Sequence, residues 1–164
     1  MKNKESDYDE LLKVIEYRED GNFYHKLGNK FREIGDKVGY INAIGYVFVN
    51  AGGKNFLAHR AAFYSHYGYL PECIDHINNN KADNRIENLR ACTFSQNSHN
   101  AKLSKSNTTG VKGVCLHKKS GKYQVQVWSK NKNISGGIHS TIEEAEAVAI
   151  RLREELHGNF VNHG

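Results

Sequence analysis

The chain has 164 residues, 38% of them hydrophobic, and a formal charge of +5 from 23 Lys and Arg against 18 Asp and Glu. That length holds one medium domain or two small ones with a modest core. Its apolar runs are far too short to span a bilayer, which excludes a helical membrane protein, and the basic balance favours a polyanionic partner.

Asp7–Tyr17 reads as a short helix with Leu11, Leu12, Val14 and Ile15 apolar and Ser6 or Asp7 as its cap. Gly21-Asn22 turns the chain into a short strand, Phe23-Tyr24-His25, and Gly35 to Lys37 reads as a loop. Ile44–Asn50 and Asn55–His59 flank Ala51-Gly52-Gly53-Lys54 and alternate in polarity, the pattern of a hairpin. Ala58–Tyr67 reads as a helix ending near Gly68, with Pro71 just past it. Glu87–Asn100 is expected to be helical in its second half, and Ala101–Thr109 reads as a polar linker or a strand-following arm. Val111–His117, Lys122–Ser129 and Lys132–His139 read as three strands, with turns at Lys118-Lys119-Ser120-Gly121 and Lys130-Asn131. In the middle strand Tyr123, Val125 and Val127 should face a core; Lys122, Gln124, Gln126 and Trp128 should face a partner or solvent. Thr141 with Glu144 forms a capping box for a last helix striped by Ala145, Val148, Leu152 and Leu156 and stopped at Gly158.

Charge is unevenly spread. No Asp or Glu occurs from Asn88 to Ile142, whereas Arg90, Lys102, Lys105, Lys112, Lys118, Lys119, Lys122, Lys130 and Lys132 all lie there. A solvated surface usually mixes signs, so this stretch points to nucleic acid. Cys73, Cys92 and Cys115 form no Cys-x-x-Cys pair, so no structural zinc is expected. Their odd number without a secretion signal fits a reducing cytoplasm.

The most concentrated chemistry lies between Cys73 and Arg90, where Asp75 and His76 are followed by Asn78, Asn79, Asn80, Asp83, Asn84 and Asn88, with Asn97 beyond. Hard divalent cations take oxygen ligands, which Asp and Asn provide. A neutral imidazole beside such a cation can take a proton from water. Those are the parts needed to hydrolyse a phosphodiester with one metal. On plainer readings Asn78–Asn80 is a loop and Asn84 a cap or turn. Tyr64, Tyr67 and Tyr69 then pack in the core. His25, His66, His99, His117, His157 and His163 show no pairing pattern and read as surface or satisfied side chains.

His59-Arg60, Ile74-Asp75-His76-Ile77-Asn78, Asp83-Asn84-Arg85-Ile86-Glu87-Asn88-Leu89-Arg90 and Ser95-Gln96-Asn97 together resemble the HNH homing endonucleases of phages and introns, over roughly half of the chain. Lys112-Gly113-Val114, Gly121-Lys122-Tyr123 and Thr141-Ile142-Glu143-Glu144-Ala145 resemble the Apetala or ethylene-responsive-factor DNA-binding domain. The chain departs from that pattern at Ser135, Gly136 and His139, and carries neutral residues such as Trp128 at base-reading positions. The resemblance implies Asp75 and Asn97 as metal ligands for Mg²⁺ or Mn²⁺, His76 as general base and Asn88 as the carboxamide that orients its ring; His59 is not assigned a catalytic role. Arg90, Lys112, Lys118, Lys119, Lys122, Gln124, Gln126, Trp128, Lys130 and Lys132 are the expected DNA contacts.

The expected fold class is α+β. A ββα-metal (His-Me finger) nuclease domain with an N-terminal helix and hairpin occupies residues 1–100, and a linker covers 101–109. A three-stranded antiparallel sheet packed on one helix occupies 110–164. The expected function is a cytoplasmic HNH homing-type endonuclease that nicks or cuts double-stranded DNA, a monomer or weak dimer, in the host cytoplasm if a phage encodes it. The alternative is a DNA-binding regulator with an inactive nuclease domain; an RNA-binding protein is a weaker third reading.

Overall fold

In the structure, a computed structural model that describes residues 4–130 and 132–163, the chain divides into two units between Cys92 and Thr93. The first begins with helix α1 (Glu5–Val14). Its start lies at Lys4 rather than at Ser6 or Asp7, and the Asp7 carboxylate accepts the Lys4 N–H at 2.8 Å. The helix does not reach Tyr17. Ile15–Tyr17 instead forms strand β1, antiparallel to β2 (Phe23–His25), with Ile15 opposite His25 and Tyr17 opposite Phe23. A β-branched and an aromatic side chain on one strand face suit that choice. Strand β3 (Lys37–Val38) adds to β2.

A second sheet orders β4 (Tyr40–Ile41), β5 (Val47–Ala51) and β6 (Lys54–Leu57). Strand β5 starts later than Ile44 because the Asn42 side-chain oxygen accepts the N–H groups of Ile44 and Tyr46, closing a turn. The β5–β6 hairpin pairs Ala51 with Lys54 around Gly52 and Gly53, whose φ values of 58° and 75° are those a two-residue type I′ turn requires. Helix α2 (Ala58–Tyr67) ends at Gly68 in the left-handed region, and strands β7 (Cys73–His76) and β8 (Leu89–Cys92) form a ribbon of their own. Tyr8, Leu11, Ile15, Phe23, Val49, Phe56 and Phe63 form the core, each contributing about 1.5–3 kcal/mol by burial. Tyr64 stacks toward Tyr8, and Tyr67 and Tyr69 pack on Phe63, so these tyrosines are packing residues.

Residues 87–100 are thus a strand followed by the short helix α3 (Phe94–His99), which belongs to the second unit. Strands β9 (Val114–His117), β10 (Lys122–Ser129) and β11 (Lys132–His139) form an antiparallel sheet with β10 central, and α4 (Ile142–His157) packs on it. Strand β9 begins after Val111 because the Val114 N–H closes a turn onto the Val111 carbonyl. Of the β10–β11 turn, Asn131 lies outside the described residues. Val125 and Val127 are buried while Gln126 and Trp128 are exposed, and the Thr141–Glu144 box caps α4 in both directions. Val114, Val125, Val127, Ala145 and Ala149 form a separate core. The register slips between Val125 and Gln126 at Gly136. A Cβ on Gly136 would lie 2.7 Å from a Val125 methyl, and the His139 ring donates to the Gly136 carbonyl at 2.9 Å. Gly136 and His139, two of the departures noted above, therefore belong to one bulge. No helix of the described residues is long and apolar enough to cross a membrane.

Candidate functional site

The β7–β8 ribbon sets Asp75 opposite Arg90 and His76 opposite Leu89. Asp75 and His76 are both buried, at 4% and 6% exposure. Arg90 donates from Nε and Nη2 to the same Asp75 oxygen, Oδ2, at 2.8 and 2.6 Å. The Arg90 guanidinium, expected to contact DNA, here balances a buried carboxylate, because strand pairing places it directly across the ribbon.

The His76 ring meets Asn84, with Nε2 3.2 Å from Oδ1. The Asn84 amide nitrogen donates to the Ala82 carbonyl at 3.3 Å, which orients its oxygen toward the ring. A carboxamide oxygen only accepts, so Nε2 carries the proton and the lone pair lies on Nδ1. Asn84 is itself held from behind. Tyr17 donates its hydroxyl to the Asn84 carbonyl at 3.0 Å, and Gly21 lies against the Asn84–Arg85 backbone.

Asn88, expected to orient the ring, is engaged elsewhere. Its oxygen accepts the Asn78 N–H at 3.0 Å and its nitrogen donates to the Asp83 carbonyl at 2.8 Å. It closes the 77–88 loop, while the carboxamide at the ring is that of Asn84. Asp83 is clasped by Arg85 at both oxygens, which holds its carboxyl down to about 2. The Asn78 amide adds a bond to Asp83.

Two further rings wall the site. His59 stands nearly perpendicular to His76 with centroids 5.1 Å apart, and Tyr46 lies 6.1 Å from His76. His59 Nδ1 is buried without a hydrogen-bond partner. Burial, reinforced by His76, pushes the His59 ring down to about 3. Burial also lowers His76, against the opposing pull of Asn84 and Asp75. Both rings are therefore neutral at neutral pH. The sequence offered a signal for Asn84, since it is one of several amides in the loop, but none for Tyr46.

Asn97 lies half-buried on α3, in the second unit. No group of three or more His, Cys, Asp or Glu side chains that could hold a metal occurs among the described residues. Asp75 and Asp83 are carboxylates that act on the His76 ring, and both are engaged by arginines. In the second unit Lys118, Lys119, Lys122, Lys130, Lys132, Gln126 and Trp128 are exposed, and Gln124 is half-buried. Lys112 differs from expectation. Its ammonium donates to the carbonyls of His99, Ala101 and Asn162 at 2.9, 2.5 and 3.0 Å, and burial lowers it to about 8. It ties α3 and the C-terminal tail to the sheet.

A family model described as HNH endonuclease matches residues 56–99. Protein 3.8 of Escherichia phage T7 is 36% identical over 91 residues, which cover 53% of this chain and 71% of that protein. No solved structure matches the chain.

Proposed function

The chain belongs to the family of Protein 3.8 of Escherichia phage T7 and carries an HNH endonuclease domain at residues 56–99, and on that footing we propose that it is a metal-dependent, homing-type endonuclease that hydrolyses double-stranded DNA. The observation that carries this reading is the contact between His76 Nε2 and Asn84 Oδ1, which assigns the lone pair to Nδ1 of a ring beside a buried carboxylate.

Asp75 fits a cation such as Mg²⁺ or Mn²⁺ by the chemistry of its donor, a hard anionic oxygen. When bound, the cation would neutralise charge growing on the phosphate and on the departing 3′ oxygen. His76 would take the proton of the attacking water at Nδ1, and Asn84 would stabilise the resulting imidazolium through the Nε2 proton. Asn97 is proposed as a second ligand on the sequence pattern, tested by Asn97→Ala. The chain order of β7, β8 and α3 supports a ββα-metal arrangement. The exposed lysines with Gln124, Gln126 and Trp128 support a DNA-binding role of Apetala/ERF type for the second unit.

One observation favours a second reading, a DNA-binding regulator with an inactive nuclease domain: Arg90 already binds the Asp75 oxygen that a cation would seek. A plasmid assay decides. Supercoiled DNA carrying sequence from the source genome, incubated with the protein and Mg²⁺ or Mn²⁺, should become open circle or linear. His76→Ala should slow this by roughly 10²–10⁴-fold. Conversion at the wild-type rate by His76→Ala, or none by either protein, would reject the hydrolytic reading.

A further inference from the structure

The second unit contains a cavity of about 210 Å³ whose wall includes His99, Lys112, Gln126, Trp128, Arg153 and His157. Arg153 is 2% exposed. It donates from Nη1 to the Lys112 carbonyl, and its Nη2 meets His163 Nδ1 at 3.3 Å. Its Nε is buried without a partner. Neither Lys112 nor Arg153 forms an ion pair among the described residues. Glu146 and Glu154, the carboxylates that act on Arg153, are exposed and do so through space. Two cationic groups thus sit together in the protein without a buried counter-charge, an arrangement that burial alone disfavours.

The two histidines complete the wall. Their rings stack in parallel, centroids 3.7 Å apart and planes within 7°. His157 Nε2 donates to the Trp128 carbonyl at 3.0 Å, which leaves the lone pair on Nδ1. That Nδ1 and His99 Nε2 are both buried without partners. His99 and His157, which show no pairing pattern in the sequence, are thus paired by the fold. Three side chains of the cavity wall each carry a buried, unpartnered nitrogen, and such groups ask for a ligand. Two imidazoles alone would suit a transition-metal ion, but Lys112 and Arg153 on the same wall decide against a cation.

We infer that this cavity binds a phosphate group. Arg153 Nε and His99 Nε2 would donate to phosphate oxygens, and His157 Nδ1 would accept from a P–OH. A terminal monoester retains such a proton in part near neutrality, with a second pKa of about 6, whereas a backbone diester has none. The ligand is thus inorganic phosphate, a nucleotide or a 5′-phosphorylated DNA end, and the inference stands whether or not the His76 site cuts DNA.

The test follows the imidazole resonances of the full chain by NMR during titration with inorganic phosphate. A second titration compares one short duplex with and without a 5′-phosphate. Saturable shifts of the His99 and His157 rings with phosphate are expected. The folded His99→Phe variant, which keeps the stack, should bind roughly tenfold more weakly. Competition by the 5′-phosphorylated duplex alone identifies a DNA end as the source; phosphate binding without such competition identifies a free phosphate or nucleotide. No saturable shift in the wild-type protein, or equal affinity in folded His99→Phe, overturns the inference.

Discussion

Arg90 and Asp75 illustrate how a single contact changes the meaning of a residue. Both lie on the β7–β8 ribbon, and their side chains are 19% and 5% exposed. Replacing Arg90 by Met would leave a buried carboxylate without its cation, and should lower stability by about 3–5 kcal/mol in urea unfolding. An unchanged midpoint would mean that solvent already compensates Asp75. From sequence, Arg90 opens an acid-free stretch and so reads as a phosphate contact. Only the strand register reveals its partner. The same holds for the carboxamide at the His76 ring. Asn78, Asn79, Asn80, Asn84 and Asn88 are chemically equivalent in a linear chain. Asn84 is selected by the Tyr17 hydroxyl and the turn at Gly21, which hold its backbone.

At the scale of elements, the β1–β2 hairpin braces the loop that presents Asn84. Gly21 has φ of 82°, and a Cβ there would stand 2.7 Å from the Arg85 nitrogen. Gly21→Ala should therefore destabilise by more than about 1 kcal/mol and slow plasmid nicking by displacing Asn84. Gly35→Ala, at φ of 89° with open space around it, should bear only the conformational cost and leave nicking unchanged. Melting temperature and nicking rate on both variants check this. Elements with several periods were legible: α2, β10, β11 and α4 lie where alternation, an apolar stripe and caps put them. Strands β1 and β8 were not. Ile15-Glu16-Tyr17 continues the apolar spacing of α1, and Leu89–Cys92 is too short to declare a period of two. Tertiary pairing decides both.

Across the whole molecule, the acid-free stretch from Asn88 to Ile142 falls almost entirely in the second unit, so the charge asymmetry seen in sequence is also an asymmetry between the two cores. Acid response follows from the histidines. Burial lowers His59, His76, His99 and His157 below the usual 6.5, and His59 to about 3. Between those values the unfolded rings bind protons that the folded rings do not. Stability therefore falls as pH drops below about 6.5, with a limiting slope of about 1.4 kcal/mol per pH unit for one fully buried ring. The half-buried rings of the second unit contribute less. Urea midpoints measured from pH 7.5 to 5 should decrease, and His59→Phe should flatten the curve; a level profile in the wild type would contradict the burial of these rings. The mounting of His76 behaves otherwise. Asn84, Asn88 and Tyr17, which hold the ring and its loop, carry no net charge near neutrality. A fall in pH toward 5 thus reaches the imidazole without loosening the amide frame that aims it, because the Asp83–Arg85 pair in the same loop keeps its carboxylate charged down to about 2.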